Sequence, residues 1–245
     1  MKFSTDALVL KSADVGESDR IITVLTKDYG VMRAFSNGAK KLRNSKQSAT
    51  QPLCYSHFTF YQSRDSFIVD DAQSIETFFR LRDDIEKLSL AQYFCELAAE
   101  LAPEMERSEQ YLKLVLNCLY MLVSEKRSQK FLKAVIELRM LTLAGYMPSL
   151  GTCSACGKEP EGDVFFDIYG SCIYCSDCKH SGEKITAGIL NAMRHICAAP
   201  PERLFAFELA PASLDKLSKL SERCLSAQTN RNYRALDFYN RLFRE

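Results

Sequence analysis

The sequence predicts an α+β multidomain protein: a small five-stranded β-barrel at the N-terminus, then an all-α region with a metal-binding element embedded in it. Three observations predict it. Residues 1 to about 80 hold short β-branched runs separated by turns. From residue 81 onward, apolar residues recur at helical spacing. Near the middle, five cysteines crowd into the 26 residues from Cys153 to Cys178.

The strands come first. Leu8 and Leu10 sit in an opening run with Asp6 and Val9. Arg20-Ile21-Ile22-Thr23-Val24-Leu25-Thr26 is β-branched and apolar, Asp28-Tyr29-Gly30 reads as a turn, and Val31 to Phe35 follows. Runs from Leu53 to Tyr61 and from Ser66 to Val69 make five strands. Five strands over this length suit a small barrel of the OB or SH3-like kind, and periodicity does not separate the two.

The helices follow. Leu81, Ile85, Leu88, Phe94, Leu97, Ala98 and Leu101 share one face until Pro103. Leu112 to Val123 marks a second helix and Phe131 to Leu143 a third, with Gly145 as its C-cap and Pro148 as its stop. Thr186 is the expected N-cap of a helix ended by Pro200-Pro201. Two further helices are expected near 212–227 and 233–243. The domain reading is 1–80 for the barrel, 81–150 and 181–245 for the two parts of the helical domain, and 151–180 for the cysteine module.

That module reads Cys153-x2-Cys156, then Cys172-x2-Cys175-x2-Cys178. A two-residue gap lets both sulfurs of one hook reach the same ion, and two hooks make the tetrahedral four-thiolate set of a structural zinc site. A closed set has no open position for water, so the ion would be structural rather than catalytic. Five cysteines and His180 compete for four positions. Cys153, Cys156, Cys175 and Cys178 is one choice; Cys153, Cys156, Cys172 and Cys175 is another. Gly157 and Gly170 suit tight turns that aim backbone N–H groups at sulfur. Cys54, Cys95, Cys118, Cys197 and Cys224 lie in apolar or helical surroundings and read as small core residues.

The net charge is +1, so any basic surface must be local. Between Asp28 and Asp65 no acidic residue occurs, while Arg33, Lys40, Lys41, Arg43, Lys46 and Arg64 do. Such a stretch neutralises phosphates without reading sequence. Of Phe35, Tyr55, Phe58, Phe60 and Tyr61, those facing outward would stack bases; the rest would be core. Arg223, Arg231, Arg234, Arg241 and Arg244 form a second basic group. Enzyme signatures are missing: no phosphate-binding glycine loop, no dinucleotide fingerprint, no nucleophile elbow and no deaminase pattern. The pairs Asp70-Asp71 and Asp83-Asp84 read as surface charges. The opening, Met1-Lys2-Phe3-Ser4-Thr5-Asp6, lacks the apolar core of an export signal, and the cysteines suit a reducing compartment, so a cytoplasmic protein is expected.

Three stretches resemble the bacterial RecO family of DNA repair and recombination mediators. The first runs from Asp6-Ala7-Leu8-Val9-Leu10-Lys11 through Gly16-Glu17-Ser18-Asp19-Arg20 to Asn37-Gly38-Ala39-Lys40-Lys41 and Gln51-Pro52-Leu53. The second is Ile136-Glu137-Leu138-Arg139 with Leu143-Ala144-Gly145-Tyr146-Met147-Pro148 and Cys153-Ser154-Ala155-Cys156-Gly157. The third is Arg231-Asn232-Tyr233-Arg234-Ala235-Leu236. The resemblance implies an N-terminal OB-fold, a helical domain and an embedded zinc-ribbon-like element. It implies a non-enzymatic protein that binds single- and double-stranded DNA and anneals complementary strands. With RecR, such a protein helps RecA replace single-strand-binding protein, whose acidic C-terminal tail would need an apolar groove with a basic rim, Arg139 being one candidate. A nucleoid-associated location goes with that role. The family's last hook is its final Cys-x2-Cys, which favours Cys175 and Cys178 over Cys172. Two departures are the extra Cys172 and Asn232 where a proline is common. Arg20, Arg33, Lys40, Lys41, Arg43 and Lys46 are the expected phosphate contacts. A protein-docking adaptor and an RNA-binding OB-fold protein are the competing classes.

Overall fold

A computed structural model describes residues 1–40, 46–64, 66–178 and 182–243. Five strands close a barrel: β1 (Lys2–Val15), β2 (Asp19–Thr26), β3 (Gly30–Ser36), β4 (Cys54–Gln62) and β5 (Phe67–Thr77). Around the barrel the order is β1-β2-β3-β5-β4, with β4 returning to β1. This is the OB-fold topology, whose one parallel contact joins β3 to β5. A four-residue helix, α1 (Lys46–Ala49), precedes β4.

Alternation fills the interior with Val9, Ile22, Val24, Ala34, Phe58 and Phe60, among others. The rings of Phe58 and Phe60 stack at 5.3 Å. The run Ala7 to Leu10 is buried without interruption, because helices cover the outside of β1 where it faces away from the barrel core. A register shift between Val9 and Lys11 lets one long strand serve two neighbours. The last strand is far longer than Ser66–Val69. Asp70 and Asp71 sit within it because exposed positions of a strand tolerate charge, and Asp70 pairs with Lys2 at 2.9 Å.

The chain divides into two compact units, 1–126 with 233–245, and 127–232. The first holds the barrel, α2 (Ile85–Leu101), α3 (Glu109–Ser124) and α7 (Arg234–Arg241). Its first helix begins at Ile85 rather than Leu81. Residues 79–83 form a 3-10 turn, and Asp84 accepts from the N–H groups of Glu86 (3.0 Å) and Lys87 (3.1 Å) as the N-cap. So Asp84 is a cap, not merely a surface charge. Gly30 holds φ +65, and an added Cβ would lie 1.9 Å from the carbonyl oxygen of Pro103. This close approach lets Val31 donate to Pro103 at 2.9 Å and seats the α2–α3 connection on the β2–β3 turn. Ser108 completes the seat, its hydroxyl donating to Thr26 at 2.8 Å. The last helix packs on α2, with Tyr233 edge-on to Tyr93 at 5.5 Å.

The second unit holds α4 (Gln129–Leu143), the strands β6 (Ser149–Cys153), β7 (Val164–Asp167), β8 (Cys172–Cys175) and β9 (Glu183–Ile185), then α5 (Ala187–Ala198) and α6 (Pro211–Thr229). The end of α4 is a Schellman motif: Tyr146 donates to Leu141 at 2.8 Å and Gly145 to Thr142 at 3.1 Å, with Gly145 at φ +88. Thr186 caps α5 through Ile189 N–H at 3.4 Å. A buried ion network joins α4 to α6. Lys133 lies 2.9 Å from Glu137 and 2.8 Å from Glu222, and Ser221 donates to Glu137. Among the described residues, no helix is long and apolar enough to cross a membrane.

Candidate metal centre and basic barrel surface

The four strands of the second unit form one sheet in the order β6-β8-β7-β9. The parallel pairing of β6 with β8 brings the two cysteine hooks together. Cys153 ends β6 and Cys175 ends β8; Cys156 and Cys178 follow them in turns. The four sulfurs lie within 4.8 Å of one another, with Cys156 and Cys175 3.9 Å apart. Four thiolates around one zinc at roughly 2.3 Å sit about 3.8 Å from each other, so the set fits such an ion. Cys172 faces away, because alternation along β8 turns residues 172 and 174 to one side and 173 and 175 to the other. His180 lies outside the described residues.

The electrostatics agree with the geometry. The N–H of Cys175 points at the Cys153 sulfur at 3.3 Å, and that amide with those of Cys156 and Ala155 brings the thiol down to about 6. The crowded sulfurs of Cys175 and Cys156 push Cys178 up to about 12. Sulfurs this close repel one another as thiolates, a repulsion that a cation would offset. The turn before Gly157 aims the N–H groups of Ala155 and Cys156 at the Cys153 sulfur, as expected. Gly157 (φ +72) donates to the Cys153 carbonyl, at 2.8 Å, and Gly170 donates to the Asp167 carboxylate at 3.1 Å. Neither aims at sulfur; the left-handed residue before the second hook is Ser171 (φ 51). The five remaining cysteines are buried, and burial pushes Cys95 and Cys224 up to about 12, as neutral core thiols.

On the barrel, the cations differ in how committed they are. Arg20, only 16% exposed, donates to Asp14 (3.3 Å), to the Gln47 carbonyl (2.9 Å) and to Thr50 (3.2 Å), pinning α1 to β2. Lys40 lies 3.1 Å from Asp14. These two cations, Lys40 foremost, hold the Asp14 carboxyl below its usual range. Lys46 donates to the Val69 carbonyl at 3.1 Å. Arg33 points outward from β3 and makes no ion pair among the described residues. Lys41 and Arg43 lie outside the described residues. The acid-free window of the sequence is therefore not acid-free in space: Asp14 and Asp19 enter it from the β1–β2 hairpin, Asp19 accepting from Gly38 N–H at 2.7 Å. Only strand register places them there.

Of the five aromatics, Phe58 and Phe60 are core, Tyr55 is half-buried, and Phe35 and Tyr61 are exposed. Phe35 is one of the five aromatics that the sequence offers, and the alternation of inward Met32 and Ala34 with outward Arg33 and Phe35 turns it to the surface. In the second unit, Arg139 donates to the carbonyls of Ile196 (3.2 Å) and Cys197 (2.6 Å), closing the C-terminal end of α5.

Two family descriptions match the chain: Recombination protein O N terminal over residues 1–78, and Recombination protein O C terminal over residues 82–237. The chain belongs to the RecO family. A DNA repair protein RecO of Acetivibrio thermocellus is 32% identical over 243 residues, covering 98% of this chain and 97% of that protein. The RecO proteins of Desulforudis audaxviator and Symbiobacterium thermophilum are 28% and 26% identical, each covering 98% of this chain and 97% of the relative. This RecO chain is thus matched through barrel, cysteine sheet and helices alike.

Proposed function

We propose that this RecO chain is a recombination mediator that performs no covalent chemistry. It binds single- and double-stranded DNA, anneals complementary strands, including strands coated by single-strand-binding protein, and with RecR helps load RecA in the cytoplasm at the nucleoid. The observation that carries this reading is the end-to-end family match to DNA repair proteins. Annealing requires two polyanionic backbones to be neutralised while bases stay free to pair, so phosphate contacts outweigh base readout. Residues 1–80 are the nucleic-acid module. Arg33 meets phosphate directly. Arg20 and Lys40 hand part of their charge to Asp14, and Lys41, Arg43 and Lys46, which follow β3 in the sequence, add further cations. RecR and the single-strand-binding protein tail are met by the helices that follow the barrel in the chain.

Cys153, Cys156, Cys175 and Cys178 hold one zinc ion, which supplies a cross-link between hooks rather than a reactive centre. The test of function is annealing of two complementary oligonucleotides, one precoated with single-strand-binding protein, across a salt series. Expected is annealing that fades as salt rises and weakens when Lys40, Lys41 and Arg43 become Ala. Full annealing by the triple variant at moderate salt removes these cations from the mechanism. Bare strands left unbound at low salt would favour a protein-docking role instead.

A further inference from the structure

The outer face of the barrel carries a row of apolar side chains that the core does not use. Pairing across β2, β3, β5 and β4 aligns Ile21, Phe35, Ile68 and Tyr61. Residues paired in register share one face of a sheet. Phe35 is 41% exposed and Tyr61 44% exposed. Phe35 lies in a cleft of about 480 Å³ lined also by Ile21, Arg33, Phe67, Glu104 and Met105. That volume is in the range of ligand clefts. The far wall is held in place, because Pro103 and Glu104 bridge to Gly30 and Val31.

The cleft's chemistry is mixed. It offers Arg33, on the same strand face as Phe35. Glu104, whose carboxylate repels phosphate, also lines the cleft. A ring among apolar residues, with a cation two positions along the same strand face, suits a nucleotide that enters base-first, with its phosphate beside Arg33. Bases paired and stacked inside a duplex present no free face to such a ring. We propose that this cleft is a base-stacking site that selects single-stranded over double-stranded DNA, with Phe35 as the platform and Arg33 as the phosphate contact. It rests on the DNA-binding reading above and divides the labour there: the cations after β3 serve both forms, the cleft only one.

The chain contains no tryptophan, so Phe35→Trp introduces a single indole reporter while keeping an aromatic platform. Its fluorescence is expected to be quenched by a short mixed-sequence single strand. The same strand annealed to its complement, or made abasic, is expected to leave it unquenched. Phe35→Ala is expected to raise the single-strand Kd by roughly 5- to 150-fold, the range of one base–aromatic stack, so that the preference for single strand over duplex collapses. Single-strand binding by Phe35→Ala equal to the wild type overturns the cleft, as does an equal loss on both DNA forms; the annealing reading survives either result. A wild-type protein that binds neither form at low salt overturns that reading and the cleft with it.

Discussion

Replacing Lys133 with Met tests the buried network between α4 and α6. Lys133 is 3% exposed and Glu137 fully buried. Burial alone would push the ammonium down, but Glu137 and Glu222 outweigh it and hold Lys133 up, charged. Glu222 is 35% exposed and can turn to water. Glu137 cannot; the substitution takes away its cation, while the Ser221 hydroxyl still donates to it. Removing one partner of a buried pair typically costs about 3–5 kcal/mol. For a unit of this size, about 4 °C per kcal/mol places the expected fall in Tm at about 12–20 °C. The penalty carries a pH signature. Without Lys133, the folded-state pKa of Glu137 rises above its unfolded value of about 4.3. The penalty is then absent below that pH and grows as pH rises toward the folded value. The double variant Lys133→Met with Glu137→Met removes both charges and is expected to return to within about 1 kcal/mol of the wild type, since apolar replacements of whole buried pairs are often neutral. Thermal and urea unfolding of the wild type, the single variant and the double variant measure these differences. A single variant that loses less than about 1 kcal/mol, or a double variant no better than the single, would show that Lys133 does not stabilise the buried Glu137 carboxylate.

Three further outcomes are expected. Cys153→Ser with Cys156→Ser abolishes zinc retention and opens residues 149–185 to hydrogen exchange while the barrel stays protected, whereas Cys172→Ser retains one zinc per chain; metal analysis after gel filtration separates them, and zinc loss from Cys172→Ser would mean that the ligand set is wrong. Asp84→Ala removes the α2 cap and costs about 1 kcal/mol at neutral pH. Because the N–H of Lys87 foremost holds the Asp84 carboxyl below its unfolded value, that contribution is full above about pH 4 and fades as pH falls through the folded value, so wild type and variant should converge in acid by urea denaturation. Gly30→Ala forces a left-handed φ on a residue whose new Cβ meets the Pro103 carbonyl; a loss of about 2 kcal/mol or more is expected by chemical denaturation, and an unchanged midpoint would show that the α2–α3 connection gives way cheaply.

Much of this was legible in the chain. The Cys-x2-Cys spacings pointed, to within one alternative, to the four sulfurs that the fold gathers, because the reach of two sulfurs on one hook is local geometry. Helices α3 to α7 fell where apolar period, caps and prolines placed them. Strands β2 to β4 fell within a residue or two of their β-branched runs. The length of β5 was missed, because charged residues on the outer face of a strand look like loop. The start of α2 was missed because Leu81 continues the helical period through a 3-10 turn.

What the sequence by itself determined was everything set by neighbours along the chain: element type, caps, the cysteine hooks, the supply of cations after β3. What only the tertiary structure decided depends on which strand lies beside which. Register brings Asp14 to Arg20 and Lys40, turns Cys172 away from the other sulfurs, aligns Phe35 with Ile68 and Tyr61, and returns α7 to α2 across more than a hundred residues. Side-chain direction repeats every two residues in a strand, so one step of register exchanges core for surface. No local pattern carries that information, because the partner that sets it lies elsewhere in the chain.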